Sequence, residues 1–564
     1  MTLPAEFLPE QLPHSLAYPA VTVPAVLAGA ARAYGDRIAL IHGDTHITYA
    51  GLWDTAKAIA FALTEQGIGR GDTVALHLPN SIEFAAAYYG TLLAGATYSP
   101  TNPLLPPEDL AFQLNDCNAA AVFTHDMSAQ ALDTVVAGTG ARLVVHVGSQ
   151  PGPHSVPFAV FVGTSGGRFE LTTDPASIDH LAHISYTGGT TGRSKGVELT
   201  HRNVIANIVQ YTAWNHGALP RVAADGALHF DQVGTANDWP VRLGHGTAIN
   251  LTPWFHAMGC VGSMSVPIAA GVTLIVHDRF KPGPYLEDAE KFAVTSMSGA
   301  PALFAALLAS PELDRYDLSS VRNISSGAGP LPRSHIRSLR ARFPRATITE
   351  GYGLTEATMG VTIGATWVSG QGKPGTVGVP VFDTEIRLVD PETGEEVEIG
   401  ARGEVWVRGP QVMRGYRNRS DETAAVLTDG WLHTGDIGIV DSEGYLSIVD
   451  RSKDMLIYKG YNIYPREIEE MLLAHPEVHG AAVVGRPDAA VGEVPVAFVV
   501  LAAGHSVNLD DLQQEVNADL LPYKRIKEIH MIDALPVSGA GKILKRSLRD
   551  RLTETTAAAE AGTR

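Results

Sequence analysis

The chain has 564 residues, of which 45% are hydrophobic, so it can bury several cores and we expect more than one domain. Its formal net charge of -18 argues against nucleic acid as the main partner, because a phosphate backbone requires a positive surface. The two cysteines, Cys117 and Cys260, provide neither a disulfide framework nor a metal-ligand cluster. Since the sequence shows no secretory leader and no run of about 20 apolar residues that could span a bilayer, we expect a cytoplasmic protein without a membrane span.

The first part of the chain alternates strand and helix signals. The stretch from Val74 to Leu78 predicts a strand, after which Asn80 can cap an apolar helix that Gly95 ends. Further apolar strand signals lie at Ala119 to Phe123, Leu143 to Val147, Val272 to His277 and Glu404 to Val407. This alternation predicts an α/β fold, with a mainly parallel sheet and helices on both faces, in a large body built from subdomains.

The stretch from Tyr186 to Gly196 combines glycines, hydroxyl side chains and Lys195. Glycines let backbone N–H groups wrap an anion, hydroxyls add donors or a metal ligand, and the lysine adds positive charge. A strand is predicted to end at Tyr186 and a helix to begin near Leu199, so the stretch is typical of a phosphate-binding loop between strand and helix. Its spacing is neither that of a Walker A loop nor that of a dinucleotide fingerprint, which points to another nucleotide-binding family.

A second pattern, from Gly163 to Gly167, matches the G-x-S-x-G motif of hydrolases. A nucleophile elbow requires a helix directly afterwards, but the following residues favour a strand or loop and Asp174-Pro175 breaks it. Hydrolase activity is therefore the remote alternative.

A domain boundary is predicted where a polar run follows the strand Leu446 to Val449. Beyond it, Pro465 opens an amphipathic helix, and two strands follow. We expect an N-terminal domain over 1–450, a hinge over 451–454, a small mobile α+β domain over 455–552 and a disordered tail over 553–564.

Seven further motifs decide which nucleotide-binding family fits. They are Pro253 to His256, Ser326 to Leu331, Gly351 to Glu356, Trp431 to Asp436, Val449 to Asp454, Gly460 to Pro465 and Ser538 to Ile543. Together with the glycine-rich loop, they stand in the order found in the adenylate-forming (ANL) superfamily of acyl-CoA synthetases, peptide-synthetase adenylation domains and luciferases. The chain resembles that superfamily over most of its length, and is closest in pattern to the acyl-CoA synthetases.

The resemblance implies an enzyme that activates a carboxylic acid with ATP and Mg²⁺, releases pyrophosphate, and transfers the acyl group from the adenylate to CoA. It implies catalytic roles for Lys542, Glu356, Thr187 and His256, with Thr187 and Glu356 at the metal. Lys453 takes the hinge position, and Gly460 lets the pantetheine arm of CoA pass. The residues implied for ATP or CoA are Thr187, Gly188, Gly189, Thr190, Thr191, Gly192, Lys195, Gly327, Ala328, Gly329, Glu350, Gly351, Tyr352, Gly353, Thr355, Asp436, Arg451, Lys453, Gly460 and Lys542.

The acid pocket implied by the resemblance is lined by Trp254, His256, Ser298, Gly299, Ala300, Gly327 and Ala328. Its small residues leave room for a fatty or bulky hydrophobic acid. An amide synthetase with an amine acceptor would use the same adenylate, and a luciferase-like oxygenase or a non-catalytic sensor are further alternatives. A homodimer is possible.

The sequence departs from the superfamily pattern at three positions. Gly188 stands where a hydroxyl residue is common, Ser194 where proline is common, and Glu350 where glutamine is frequent. The segment from Asn215 to Asn250 is also longer than expected, and its sequence leaves open whether it forms a lid or an interface.

Overall fold

The computed structural model describes residues 1–152, 154–163, 171, 175–187, 193–370, 372–451, 454–459, 461–488, 490–502, 504–537 and 542–552. Its α-helices are α1 Pro24–Tyr34, α2 Tyr49–Glu65, α3 Ile82–Leu93, α4 Pro107–Asp116, α5 Ala129–Val135, α6 Phe158–Gly163, α7 His201–His216, α8 Val266–Ala269, α9 Pro282–Lys291, α10 Pro301–Leu308, α11 Arg333–Arg342, α12 Ser420–Ala424, α13 Pro465–Ala474 and α14 Leu509–Ala518. A π-helix, Met258–Ser265, runs directly into α8, and residues 545–552 are also helical.

The strands of the first half are β1 Ile38–His42, β2 Thr45–Thr48, β3 Thr73–His77, β4 Thr97–Pro100, β5 Ala119–His125, β6 Leu143–Val147, β7 Val156–Pro157, β8 Leu181–Thr187, β9 Lys195–Thr200, β10 Ala218–Val222, β11 Leu228–Gln232, β12 Thr247–Asn250 and β13 Thr273–Val276. Those of the second half are β14 Ser296–Gly299, β15 Asn323–Ser326, β16 Thr347–Tyr352, β17 Thr362–Ile363, β18 Val379–Pro380, β19 Glu385–Val389, β20 Arg402–Arg408, β21 Gly415–Tyr416, β22 Leu427–Thr428, β23 Trp431–Val440, β24 Leu446–Arg451, β25 Leu456–Tyr458, β26 Tyr461–Ile463, β27 Val478–Asp488, β28 Gly492–Leu501 and β29 Glu528–Met531.

Two large sheets with parallel centres form the N-terminal body. The nine-stranded sheet has the order β18-β17-β16-β15-β14-β12-β13-β1-β2, and its strands from β16 to β1 pair in parallel. The eight-stranded sheet has the order β21-β9-β8-β4-β3-β5-β6-β7, with parallel pairs from β8 to β7. The predicted α/β body is therefore confirmed, and strand β6 has the limits that the sequence predicted.

Two smaller sheets complete the fold. An antiparallel sheet of β19, β20, β23, β22 and β24 ends at Arg451. After it, β26, β25, β28, β27 and β29 form a five-stranded sheet whose own core contains Leu456, Ile468, Val483 and Leu512. This matches the expected small C-terminal domain, while the residue limits of the domains and the hinge stay predictions.

The flanks of the glycine-rich loop differ from the sequence prediction. The helix predicted near Leu199 is present as α7 and begins at His201, but an unpredicted strand, β9, comes first and pairs antiparallel with β8. Buried Val197 and Leu199 hold β9 in the sheet, and Thr200 caps α7 in a capping box with Asn203. In the chain, the loop thus connects two antiparallel strands and not a strand and a helix.

The predicted cap of α3 was also wrong. Ser81, not Asn80, caps the helix by accepting the N–H of Phe84 at 3.1 Å. Asn80 instead donates to the carbonyl of Thr252 at 2.9 Å and accepts the N–H of Trp254 at 2.7 Å. The amide of Asn80 therefore fixes the segment that leads into the predicted acid pocket.

The segment from Asn215 to Asn250 contains the β10–β11 hairpin. A Cβ on Gly29 of α1 would lie 1.7 Å from the carbonyl oxygen of Leu228, so hairpin and helix are in direct backbone contact. Part of the segment also lines the cavity described below. Cys117 and Cys260 are buried and free, and no helix in the described ranges is both long and apolar enough to cross a bilayer.

Candidate active site

A cavity of about 1880 Å³ opens where the carboxyl ends of β8, β15 and β16 meet residues of the C-terminal part. This volume exceeds the roughly 300–1,000 Å³ of a pocket for one small ligand. Of the predicted catalytic, nucleotide and metal residues, it is lined by Thr187, Lys195, His256, Gly327, Ala328, Gly329, Gly351, Tyr352, Gly353, Thr355, Glu356, Asp436, Arg451 and Lys542. The structure therefore brings together side chains that are more than 350 residues apart in the chain.

Several predictions fall on residues for which the structure gives no description. Gly188, Gly189, Thr190, Thr191 and Gly192 of the loop, Lys453 of the hinge, Gly460 and the tail over 553–564 lie outside the described residues. Most of the hydrolase-like pattern, residues 164–167, also lies outside them.

At the predicted adenine site, two features of the backbone limit which residues fit. Ala328 adopts a left-handed backbone with a φ of 64°, between Gly327 and Gly329. A Cβ on Gly353 would lie 1.8 Å from the carbonyl oxygen of Met359, so only glycine fits at that position. Both features restrict the side chains that these positions can carry next to the cavity.

Glu350 supports the predicted adenine site from outside the described lining of the cavity. Its carboxylate accepts the N–H of Leu331 at 2.9 Å, which ties the end of β16 to the loop after β15. Burial raises the pKa of Glu350, while the hydrogen bond from Leu331 lowers it. Glu350 thus positions the predicted adenine loop.

The predicted ribose site is one buried carboxylate, that of Asp436, with one hydrogen-bond partner and one ion-pair partner. The Tyr352 hydroxyl donates to Oδ2 of Asp436 at 2.6 Å, and Nε of Arg451 lies 3.2 Å from Oδ1. Asp436 and Arg451 face each other in the register of β23 and β24. Burial first, and then the negative Asp436, raises the pKa of Tyr352, so its hydroxyl stays a donor.

The predicted metal residues Thr187 and Glu356 line the same cavity. Oε1 of Glu356 accepts the Tyr416 hydroxyl at 2.8 Å. The donor set fits Mg²⁺, which takes oxygen ligands and commonly binds through one or two carboxylates plus substrate phosphates. In the described part of the chain, no cluster of three or more His, Cys, Asp or Glu could hold a metal by itself, which agrees with such a shared site.

Tyr416 and Glu422 are site residues that the sequence analysis missed. Nζ of Lys195 lies 2.5 Å from Oε2 of Glu422 and 4.7 Å from the ring centre of Tyr416. The Lys195 ammonium, more than any other group, lowers the pKa of Glu422. Tyr416 thus contacts both Lys195, the predicted phosphate-binding lysine, and Glu356, the predicted metal carboxylate.

Lys542 lies within the electrostatic reach of the whole site. Burial is the largest effect on the pKa of Lys542 and lowers it, and the Arg451 charge lowers it further. The Asp436 and Glu356 charges raise this pKa. Burial first, and then the Lys542 charge, lowers the pKa of His256 to about 4, so this imidazole is neutral near pH 7. Lys542, from the C-terminal part, therefore interacts electrostatically with Asp436, Glu356 and His256 in the cavity.

Of the residues predicted to form the carboxylic acid pocket, some line the cavity and others lie behind it. His256, Ser298, Gly327 and Ala328 line the cavity. Trp254 is fully buried instead: it packs on Phe84 with ring centres 5.6 Å apart. Gly299 and Ala300 also lie outside the described lining, and Leu303 fills the space beside Gly299.

Comparison with known proteins identifies the family of the chain. The family described as AMP-binding enzyme matches residues 27–417, and its C-terminal domain family matches residues 467–542. A long-chain-fatty-acid–CoA ligase of Bacillus subtilis (strain 168) is 34% identical over 97% of each chain. A 4-coumarate–CoA ligase of Vanilla planifolia is 32% identical over 98% of this chain and 95% of its own.

Two solved structures show the same fold. The anthranilate CoA ligase AuaEII in complex with anthranoyl-AMP has a TM-score of 0.85 at 24% identity, over 97% of this chain and 99% of its own. The amide bond synthetase McbA from Marinactinospora thermotolerans has a TM-score of 0.79 at 26% identity, over 94% and 99%. The chain belongs to the AMP-binding enzyme family of the adenylate-forming superfamily and is an acid–thiol ligase related to the acyl-CoA synthetases.

Proposed function

We propose that the chain couples a fatty or bulky hydrophobic carboxylic acid to CoA in two steps, with an acyl-adenylate between them. The observation that carries this proposal is Lys542, which reaches the cavity between Asp436, Glu356 and His256. A lysine brought there by the C-terminal part suits a reaction between two anions, the acid and the triphosphate of ATP. The relatives named above act on a long-chain fatty acid and on 4-coumarate, which supports a hydrophobic acid.

In the first step, an oxygen of the acid attacks the α-phosphorus of ATP and the bond to pyrophosphate breaks. The Lys542 ammonium faces the position where negative charge gathers on both reactants. Lys195 holds the leaving phosphates, and Asp436 accepts the ribose hydroxyls while Tyr352 fixes its orientation. Because these groups are already placed, little reorganisation is needed as charge develops.

Thr187 and Glu356 would hold Mg²⁺, which neutralises phosphate charge when it is bound. The Tyr416 hydroxyl donates to Oε1 of Glu356, so Oε2 of this carboxylate would be the oxygen that binds the ion. Neutral His256 accepts the N–H of Met258 at Nδ1, 3.3 Å away, so Nε2 carries the proton. We assign that Nε2–H to the acid, where it can donate a hydrogen bond.

In the second step, the CoA thiol attacks the acyl carbon and AMP leaves. We propose that rotation at Lys453 withdraws Lys542 and brings Gly460 and its neighbours to the cavity, with the pantetheine arm passing Gly460. Tyr461 supports this proposal, because it is 58% exposed on the C-terminal part and stacks only on Tyr523 within its described ring contacts. An exposed aromatic beside the proposed CoA passage is available to contact the arriving cofactor.

An amine is the alternative acceptor, because the amide bond synthetase shares the fold at 26% identity. Adenylation would then proceed on the same residues, and the product alone would differ. The two buried free cysteines agree with a reducing compartment, so we place the reaction in the cytoplasm. Whether the enzyme works as a homodimer stays a prediction.

Pyrophosphate release with a panel of aliphatic, aryl and polycyclic acids tests the proposal, with products identified by mass spectrometry. We expect a thioester that forms only when ATP and CoA are both present. If an amide forms from an amine without CoA, the acceptor is the amine and not CoA. Pyrophosphate release that is absent with every acid would refute adenylation.

A further inference from the structure

The acid end of the cavity has an unusual floor. Three neighbouring strands of the nine-stranded sheet, β12, β14 and β15, contribute residues to the lining of the cavity. Their register places Ala248, Ser296 and Asn323 in one row and Asn250, Ser298 and Ser325 in the next. We call these six residues the polar floor, because five of them carry a hydroxyl or an amide.

The opposite face of the same strands is ordinary core. Met297 and Ile324, which alternate with floor residues on β14 and β15, are buried in an apolar cluster. Ile249 of β12 belongs to the same cluster and also lines the cavity. Buried parallel strands are normally apolar on both faces, since helices cover both. Polar side chains on one face of three central strands therefore point to a ligand and not to packing.

Hydrogen-bond acceptors next to the floor reinforce this conclusion. Asn250 is 1% exposed, and its Nδ2 donates to the carbonyl of Ser263 at 2.5 Å. Among the described residues, Oδ1 of Asn250 and Oδ1 of Asn215 are buried and have no hydrogen-bond partner. Buried acceptors of this kind are costly unless a donor reaches them, and both residues line the cavity.

His216 adds a third acceptor on the same wall. Its Nδ1 lies 3.1 Å from the carbonyl oxygen of Val241, which can only accept, so Nδ1 carries the proton. Burial lowers the pKa of His216 to about 4, so the ring is neutral near pH 7 and Nε2 is an acceptor. The acid end thus offers acceptors to a ligand that brings its own donors.

The shape of the polar floor selects among such ligands. Strands about 4.8 Å apart and residues about 6.6 Å apart along a strand make the floor roughly 10 Å by 7 Å, which is a surface and not a line. A straight chain with one terminal hydroxyl would touch only one side chain of that surface. Other walls, which include Met258, Val266, Ala305 and Met359, are apolar.

We infer that the acid activated by this enzyme is a rigid multi-ring carboxylic acid with hydroxyl groups on one face, which lie on the polar floor while its other face meets the apolar walls. This inference rests on the proposed acid activation and narrows its substrate class. A site built to bond hydroxyls rejects the analogue that lacks them, because its own polar groups are then left unpaired. Discrimination by hydroxyl number is therefore its signature.

The test compares matched acids in the presence of ATP, Mg²⁺ and CoA. The pairs are palmitic acid and its terminal hydroxy derivative, cinnamic and caffeic acid, and a saturated steroid carboxylic acid with its ring-hydroxylated derivatives. We expect kcat/KM to be at least about tenfold higher for the hydroxylated steroid acids than for their parent. The double variant Ser296→Ala/Ser325→Ala should reduce this ratio at least about fivefold, whereas Ser319→Ala, at an exposed serine before β15, should leave it unchanged.

The outcomes separate the two proposals. Thioester formation in which every unhydroxylated parent matches or exceeds its hydroxylated partner would overturn the inference and leave acid activation standing. A hydroxyl preference that persists in the double variant would also overturn it, since the floor would then play no part. The absence of pyrophosphate and thioester with every acid would overturn both.

Discussion

Removing one hydroxyl oxygen, in Tyr416→Phe, tests whether Glu356 is the magnesium carboxylate. The change deletes the 2.8 Å hydrogen bond to Oε1 of Glu356 but keeps the ring that lies 4.7 Å from Nζ of Lys195. Loss of a partner that orients a metal ligand commonly costs 10–100-fold in metal affinity, or about 1.4–2.7 kcal/mol. We therefore expect the Mg²⁺ concentration for half-maximal pyrophosphate release to rise by about 10–100-fold.

The assay is a magnesium titration at saturating acid, with Tyr18→Phe as the matched control. That control removes a 2.6 Å hydrogen bond from a tyrosine to the carboxylate of Asp383, and neither residue lines the described cavity. Tyr18→Phe should lower the melting temperature but leave the magnesium titration as in the parent. A folded Tyr416→Phe enzyme with an unchanged magnesium requirement would show that this hydrogen bond does not serve a metal site.

Three further predictions concern single residues. Lys542→Ala should lower adenylate formation by at least about 100-fold yet leave thioester formation from a supplied acyl-adenylate within about threefold, as measured in separate half-reaction assays; equal losses would refute the two-conformation account. Asn80→Ala removes both hydrogen bonds to the segment at Trp254, so KM for the acid should rise about 5- to 50-fold while KM for ATP changes little, by steady-state kinetics. Burial raises the pKa of Glu350, so the folded protein binds the carboxyl proton more tightly than the unfolded chain and loses stability as the pH rises above the unfolded pKa. Glu350→Gln should therefore melt at a higher temperature than the parent at pH 7, and this difference in melting temperature should close near pH 4. A difference that stays constant with pH would contradict this reasoning.

Much of the fold is readable from local pattern, and the failures have local causes. The limits of β6 follow directly from a Val-rich apolar run. Strand β9 after the glycine-rich loop was not predicted, because it has only six residues and its apolar Val197 and Leu199 lead directly into the buried residues of α7. A short strand that runs straight into a helix cannot be separated from that helix by periodicity alone.

The sequence motifs predicted which residues would lie together at the candidate site. Lys542, Asp436, Glu356 and Tyr352 stand in motifs of the superfamily, and the structure places all four around one cavity. Trp254 lies in such a motif too, yet it belongs to the core, because sequence position does not show which aromatic of a run turns inward. The polar floor was out of reach for another reason: its rows form only when separate strands come into register.

Tyr416 and Glu422 show why some active-site chemistry has no sequence signal. We propose that Lys195, Arg451 and Lys542, which line the cavity, are the cations that receive ATP in this chain of net charge -18. Nζ of Lys195 lies 2.5 Å from Oε2 of Glu422, and the two side chains are 35% and 38% exposed. An ion pair this exposed is worth only about 0–1 kcal/mol, so an arriving triphosphate can displace Glu422 at little cost while the Tyr416 ring keeps the ammonium in place. The contact between Lys195 and Glu422 is therefore compatible with the phosphate-binding role that we propose for this lysine.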